Sequence, residues 1–496
     1  MKSQANKSLV ALAIAAAFGL SAQVMAGEAN DIKVTQSGSS NEATVEQTGV
    51  MHVAEVTQSG ADNSAVVSQS GTFHESYSTS SGNGNQVAVT QTDLWHIANT
   101  EQTGDNNADT VTQSGFLNVS AAATTGNDNK VDVIQNGFLN ESSVELIGNE
   151  NTASVDQDGD GNFAVFRVAG TGNDGKITQT GNNNQGGLLA LDGSTNEGDN
   201  NDVTVYQKGD NNVGGVRGVA GDNNAIELTQ EGNNNLAFVY GLQGSDNDLT
   251  MSQDGNRNTS VLEFTTGDHN DVEITQKGEM NAIGDSLIAV VQGNDNQIDI
   301  KQKGDVNSAQ FAVVGNDNDV DLEQKGNANY AEFVAQGNDN TLDLSSKGDS
   351  NEIQAGAFGE DNSLEVVQKG DMNFAYTVTA GNDNEVDVKQ KGNDNEAIVT
   401  IEGNNNTDVV ADQTGDLNVI DLLIVGDENL AKLTQTGNGN WVGNDDGAFA
   451  VTGNGNSLLV AQSGTNNLVT GSQNGVGNSI NVMQSGTENV ATVIQH

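Results

Sequence analysis

Between Asn318 and Lys325 the side chains separate by parity. Asn318, Val320, Leu322 and Gln324 share one parity; Asp319, Asp321, Glu323 and Lys325 share the other. Such alternation predicts a β-strand with one buried face. That face carries amides beside its aliphatic groups, which needs a cause. Each such strand follows a Gly-x-x-Asn unit, which predicts a tight turn because Gly and Asn tolerate positive φ. The unit recurs from Gly38–Asn41 to Gly486–Asn489. From Gly304 to Gly403 the glycines advance in an unbroken step of eleven. Elsewhere some steps are twelve, and the register slips further at Gly159 to Gly198, Gly278 to Gly293 and Gly437 to Gly453.

The units alternate in type. One ends in Gln-x-Gly, as at Gln302, Gln324, Gln368 and Gln390; the next often opens with Gly-Asn-Asp-Asn and lacks that Gln. The full repeat is therefore about 22 residues, two strands per turn. Such a turn holds four to six inward apolar groups at roughly 1.5–3 kcal/mol each, against about 1–2 kcal/mol of backbone entropy for every residue it fixes. It becomes stable only by stacking. The expected fold is all-β, a parallel two-sheet β-solenoid of about twenty strand-turn-strand repeats, about 4.8 Å per turn and roughly 95 Å long. Stacking also explains the inward amides. An unpaired buried amide costs a few kcal/mol, but one repeated at the same height in every turn bonds its neighbours as a ladder. The ladder residues so assigned include Gln36, Asn41, Gln47, Gln58, Asn63, Gln69, Asn307, Asn318, Gln324, Gln484, Asn489 and Gln495.

Composition fits. The 496 residues include 60 Gly and no Pro, as expected of a chain that is nearly all paired strand and tight turn. There is no Cys, so no disulfide can form, and the net charge is -50. At that charge nucleic acid is excluded as a partner. Residues 1–26 read as a secretory signal peptide: Lys2 and Lys7, the apolar run Leu9 to Leu20, then Val24-Met25-Ala26. No later stretch is apolar enough for a transmembrane segment. The repeat domain is placed at 27–496, with acidic central repeats and charge-poor C-terminal repeats at 447–496, where Glu488 and His496 are the only ionisable side chains.

Three stretches carry a fuller pattern: Gln36-Gly38-Asn41-Ala43-Gln47, Gln58-Gly60-Asn63-Ala65-Gln69 and Gln484-Gly486-Asn489-Ala491-Gln495. This resembles the repeat of the curli fibre subunits, Gln-x-Gly-x-x-Asn-x-Ala-x-x-x-Gln. Most central repeats lose the second Gln, as at Val313, Ala335 and Thr379. The resemblance implies a secreted, amyloid-forming subunit of an extracellular, cell-surface fibre (the curli pilus). The resemblance further implies a role in biofilm matrix and cell adhesion, self-association, and other curli-like subunits and a secretion pore as partners.

His52, His74 and His96 stand 22 residues apart at the Asn position; they suggest a metal-binding or pH-sensitive column, or simply another polar residue in place of Asn. Lys303, Lys325, Lys347, Lys369 and Lys391 form an outward column, expected to be offset by Asp305, Asp349 and Asp371. Stacked carboxylates can collect Ca²⁺ loosely; no other cofactor is implied. An enzyme on a parallel β-helix would need projecting loops and basic residues, and the chain has three Arg (Arg167, Arg217 and Arg257), so no catalytic role is expected. The alternative to a fibre subunit is a monomeric, cation-stabilised β-solenoid acting as a surface adhesin or binding module. Within the fibre reading, Gly453 to Gln495 is expected to be the docking edge and Gln36 to Gln69 its partner.

Overall fold

A computed structural model describes residues 29–188, 196–284, 289–444 and 447–496. Residues 1–26, expected to be a signal peptide, lie outside the described residues, as do parts of the three stretches where the repeat slips. The described residues contain no helix. They form two parallel sheets, and successive strands alternate between them. The first sheet opens with Asp31–Ser39 and the second with Glu42–Val50. The second has twenty strands, one per turn. The fold is the β-solenoid expected from the parity pattern.

Register follows the repeat. Ser308–Val314 lies on Tyr330–Gln336, with Ser308 against Tyr330 and Val314 against Gln336. Asp319–Lys325 lies on Thr341–Lys347 in the same way. Ala309, Phe311 and Val313 of the first sheet face Val320, Leu322 and Gln324 of the second, and all six are buried. Along the axis like packs on like: the buried rings of Phe311 and Phe333 are parallel at 5.4 Å. Apolar burial between the sheets and ladder bonds along the axis together meet the requirement that no single turn satisfies.

The long irregularities fall on one side; the second sheet takes a single extra residue, at Asp408 before Val409–Thr414. Extra residues enter between Leu188 and Asn196, between Ile283 and Ala289, and between Val442 and Phe449, each time interrupting the first sheet. The second sheet absorbs the same insertions as longer register steps, such as Asp174 on Asp202 and Leu430 on Ser457, with its strands intact.

The turn differs from the expected one in a single respect. Positive φ occurs at Gly315 (129°) and at Asp317 (55°), and Asn318 is instead the buried residue just before the strand. The Gly is required by proximity: a Cβ on Gly337 would stand 1.8 Å from the carbonyl oxygen of Gly359 in the next turn. Turns lie too close at this point for any side chain. Gly477 also has positive φ (69°) but has nothing within 4 Å of its Cβ position. Gly477→Ala is therefore expected to cost only the left-handed penalty of about 1–2 kcal/mol. Gly337→Ala should lower the denaturation midpoint by clearly more; equal losses in thermal or denaturant melts would show that the close approach is not limiting.

Candidate functional site

The recurring element of a solenoid is its set of columns, each built from one position of every turn. Two Asn columns run along the two corners. Asn340 donates both its backbone N–H and its Nδ2 to Oδ1 of Asn318, at 3.1 and 3.0 Å, and its Nδ2 also donates forward to the Gly359 carbonyl at 2.9 Å. Asn329 treats Asn307 identically, at 3.1 and 3.0 Å. At the ends, Asn63 donates to Asn41 (3.0 Å) and Asn489 to Asn467 (2.7 Å). In most turns the buried Asn thus has its donors used and its acceptor used twice, so its burial leaves the amide paired.

The Gln column of the second sheet runs the opposite way. Gln47 donates Nε2 to Gln69 Oε1 at 2.8 Å, Gln302 to Gln324 at 2.8 Å and Gln462 to Gln484 at 2.9 Å. The second Nε2 hydrogen crosses the core to a first-sheet carbonyl, as from Gln69 to Val53 at 2.9 Å and from Gln324 to Ser308 at 3.2 Å. The column therefore joins turns along the axis and sheets across it. Where Ser346 replaces Gln, its hydroxyl donates to Gln368 Oε1 at 3.2 Å. In the first sheet the equivalent column survives at the chain's ends, Gln36 to Gln58 (2.7 Å) and Gln473 to Gln495 (3.4 Å). Between them it gives way to buried apolar groups such as Val313 and Ala335, and to Thr379.

Sequence reasoning missed a further ladder outside the core. The residue after Gly is usually Asn or Asp, and its Oδ1 accepts the N–H of its counterpart in the previous turn: Asn327 to Asp349 at 2.7 Å, Asp349 to Asp371 at 2.8 Å, Glu279 to Asp305 at 2.9 Å. The recurrent Gly-Asn and Gly-Asp dipeptides were its signal. This corrects the expected role of Asp305, Asp349 and Asp371, which hold backbone N–H groups rather than offset the Lys column. The column itself is in register, Lys303 on Lys325 on Lys347. Its carboxylate lies on the flat of the sheet: Glu323 pairs with Lys325 and, at 3.4 Å, with Lys347.

His52, His74 and His96 are buried in place of Asn, their rings stacked at 4.9 and 5.1 Å. Backbone N–H groups of the next turn donate to Nδ1: His74 to His52 and His96 to His74, each at 3.3 Å, and Asn118 to His96 at 3.2 Å. Each Nε2 faces a carbonyl, Thr48 at 3.2, Ser70 at 3.1 and Thr92 at 2.7 Å. A carbonyl accepts only, so Nε2 carries the proton and the ring is neutral. With both nitrogens engaged, the column does the work of the Asn ladder. Among the described residues no group of three or more His, Asp or Glu side chains is placed to hold a metal.

Asp109 is an inward charge that the sequence reading also missed. It is 1% exposed, stacked between Val87 and Val131, and its carboxylate oxygens have no hydrogen-bond partner within normal geometry. Burial pushes its pKa up to about 7. Around it the first sheet is unusually polar, with Ser76, Ser78, Thr100, Ser120 and Thr124 buried.

The curlin associated repeat model matches twelve segments, at 27–60, 60–92, 104–137, 126–159, 148–181, 221–255, 244–278, 293–326, 315–348, 359–392, 381–407 and 426–464. Together they cover well over half of the chain, and the protein belongs to the curlin repeat family. No curated protein matches the sequence.

Two titrations have opposite signs. Burial lowers His74 from 6.5 to about 4 and lowers His96 as well. The unfolded chain then binds protons that the folded one refuses. Stability is complete above about 6.5 and is lost as pH falls toward about 4. Amide protection over 45–102 should drop between pH 7.5 and pH 5, and His52→Asn, His74→Asn and His96→Asn together should abolish the drop; an unchanged drop would clear the histidines. Asp109 works in reverse, since its folded pKa is raised and acid favours the folded state. Asp109→Val should raise the melting temperature at pH 7.5 by an amount that shrinks toward pH 5. A loss of stability at pH 7.5 would show that the carboxylate is paired in solution.

Proposed function

We propose that this protein is a secreted structural subunit that stacks end to end into extracellular curli-like amyloid fibres, serving biofilm matrix and cell adhesion. Membership of the curlin repeat family supports the class. The observation that carries end-to-end growth is the match between the two ends of the solenoid. At the start, Gln47 Oε1 is buried with no partner, and the inward Ile32 and Val34 are 49% and 43% exposed. At the finish, the inward Ala491 and Val493 of the last strand are only partly buried, and Gln484 Nε2 has used one hydrogen, on the Leu468 carbonyl at 3.0 Å. Because every Gln donates toward the C-terminus, the last Gln of one copy offers what the first Gln of the next lacks. The Asn columns offer the reverse pairing at the same junction.

Charge favours the same ends. The final turns, 447–496, carry Glu488 and His496 as their only ionisable side chains, and an uncovered, uncharged strand edge templates another chain. The role is structural rather than catalytic, with export through a pore and co-assembly with related subunits as parts of the same reading. No described helix is long and apolar enough to cross a membrane. A second reading, a folded monomeric adhesin, is favoured by the fact that one chain already closes nearly twenty turns of ladder within itself.

Removing residues 453–496 is expected to lengthen the lag of fibre formation far more than removing 326–369, two central turns whose loss keeps register. A peptide of 453–496 should form fibres unaided. Equal effects of the two deletions with a soluble peptide, or a monomer that stays folded and soluble until a chelator melts it, would favour the second reading.

A further inference from the structure

Turns near the start of the chain carry an apolar ridge along one corner. The position before the buried Asn or His has φ near 60° throughout, and most turns fill it with Asn, Asp or Gly. Here it is filled by Met51, Phe73, Trp95, Leu117 and Leu139, with φ of 60, 62, 61, 58 and 57°. A side chain of this kind costs about 1–2 kcal/mol in left-handed backbone. Five successive strained positions all holding large apolar groups point to a use for the side chains.

The adjoining position adds Leu94, Phe116 and Phe138, which are 43, 37 and 37% exposed; Trp95 and Leu139 are 40 and 46% exposed. The corner is rigid, because each turn donates to the last: Trp95 N–H to Thr72 at 3.0 Å and Leu117 N–H to Leu94 at 3.1 Å. Phe73 and Trp95 have ring centroids 4.5 Å apart, and Phe116 and Phe138 stack at 5.3 Å with 11° between planes. The stacked rings cover one another's faces and turn their edges outward. That does not make a platform for sugar rings, but it makes a flat apolar strip. The strip ends where Asp160 takes the adjoining position. Apolar residues return at Met280, Val306, Met372 and Leu417, each beside a carboxylate (Glu279, Asp305, Asp371, Asp416).

We propose that this ridge pairs side by side with the same ridge of a second copy, antiparallel about a two-fold axis near Trp95. Two-fold pairing makes any patch its own complement: Met51 would meet Leu139, Phe73 would meet Leu117, and Trp95 would meet itself. Charge confines contact between copies to such places, since two chains of net charge -50 repel wherever their acidic corners meet; the ridge positions carry no charge, and the neighbouring Asp93 is engaged by the Gly115 N–H at 3.0 Å. The strip is about 20 Å long and a few hundred Å² in area, the size at which an exposed apolar patch marks an interface. Two strips bury roughly 1,000 Å², a weak contact for single chains. In an end-to-end stack, which the proposed function supplies, the ridge recurs once per copy and the weak contacts add as avidity.

The chain has no native Cys, so single cysteines report pairing directly. In freshly desalted full-length protein, Leu94→Cys should form disulfide-linked dimers under mild oxidation, whereas Asp317→Cys at the opposite corner should not. Leu94→Asp with Phe116→Asp places residues that other turns tolerate at this position. It should keep the fold and weaken self-association at least about tenfold, because the carboxylates would be desolvated or repelled. End-to-end stacking alone leaves the two Leu94 positions a whole chain length apart, so it cannot mimic the cross-link. Equal cross-linking at both corners, no cross-link at Leu94, or wild-type monomers that bind neutral phosphatidylcholine vesicles without cross-linking would overturn the proposal.

Discussion

In most turns the buried Asn places its carbonyl oxygen under two donors of the following turn, its backbone N–H and its side-chain amide. Most of the structure depends on that interaction. It works only if the next turn brings an Asn to the same height, so the chain must repeat, and a repeating chain can bury amides without loss. An amide in an ordinary core is a liability of a few kcal/mol. Here it is a positional lock, because a slip of one residue would leave every amide in the column unpaired. The close Gly-to-Gly approach at each corner follows, since the Nδ2 of Asn340 reaches the Gly359 carbonyl only if the turns lie that near.

The two sheets divide the requirement. In the second, the Gln column ties turns along the axis and also reaches across the core, and its strands take no insertion longer than the one residue at Asp408. In the first, Val313 and Ala335 make no directional bonds, and there the insertions enter. Apolar contact tolerates a broken strand because it depends on area rather than angle; a Gln-to-Gln bond does not. The first sheet is thus the side on which the chain can lengthen or vary a turn.

Much of this was legible in the sequence, because parity and period are written in single residues: Asn318, Val320, Leu322 and Gln324 name the buried face, and a repeat near 22 residues names the stack. The fold class, the ladder columns and the His column follow from those two facts. The rest depended on local backbone geometry or on contacts across turns. Which residue of Gly-x-x-Asn takes positive φ cannot be told from Gly and Asn alone, because Asp317 tolerates it too. Asp349 was read as a counter-ion since its charge is visible in sequence, while the bond it accepts from Asn327 is not. Asp109 was passed over because one Asp among many attracts no notice until its place between Val87 and Val131 is seen. The ridge escaped because Phe73, Trp95 and Leu117 sit in turn positions, where apolar residues are read as noise.

Electrostatics then decides where such a molecule can touch another. The ladders keep the interior nearly neutral, so the carboxylates gather on the outward faces and corners. There they crowd: burial raises the pKa of Asp321 and Asp343, and neighbouring carboxylates add to it. A surface that resists holding its own charges resists a second copy more strongly. Two parts are exempt, the final turns with their uncovered strands and the apolar corner near the start. The first exemption lies along the axis and the second across it. Charge on the remaining surface therefore does more than keep the protein dissolved. It confines association to two directions, one continued by the amide ladders and the other carried by apolar area alone, and the ladder direction is the one in which every bond within the chain can be repeated between chains.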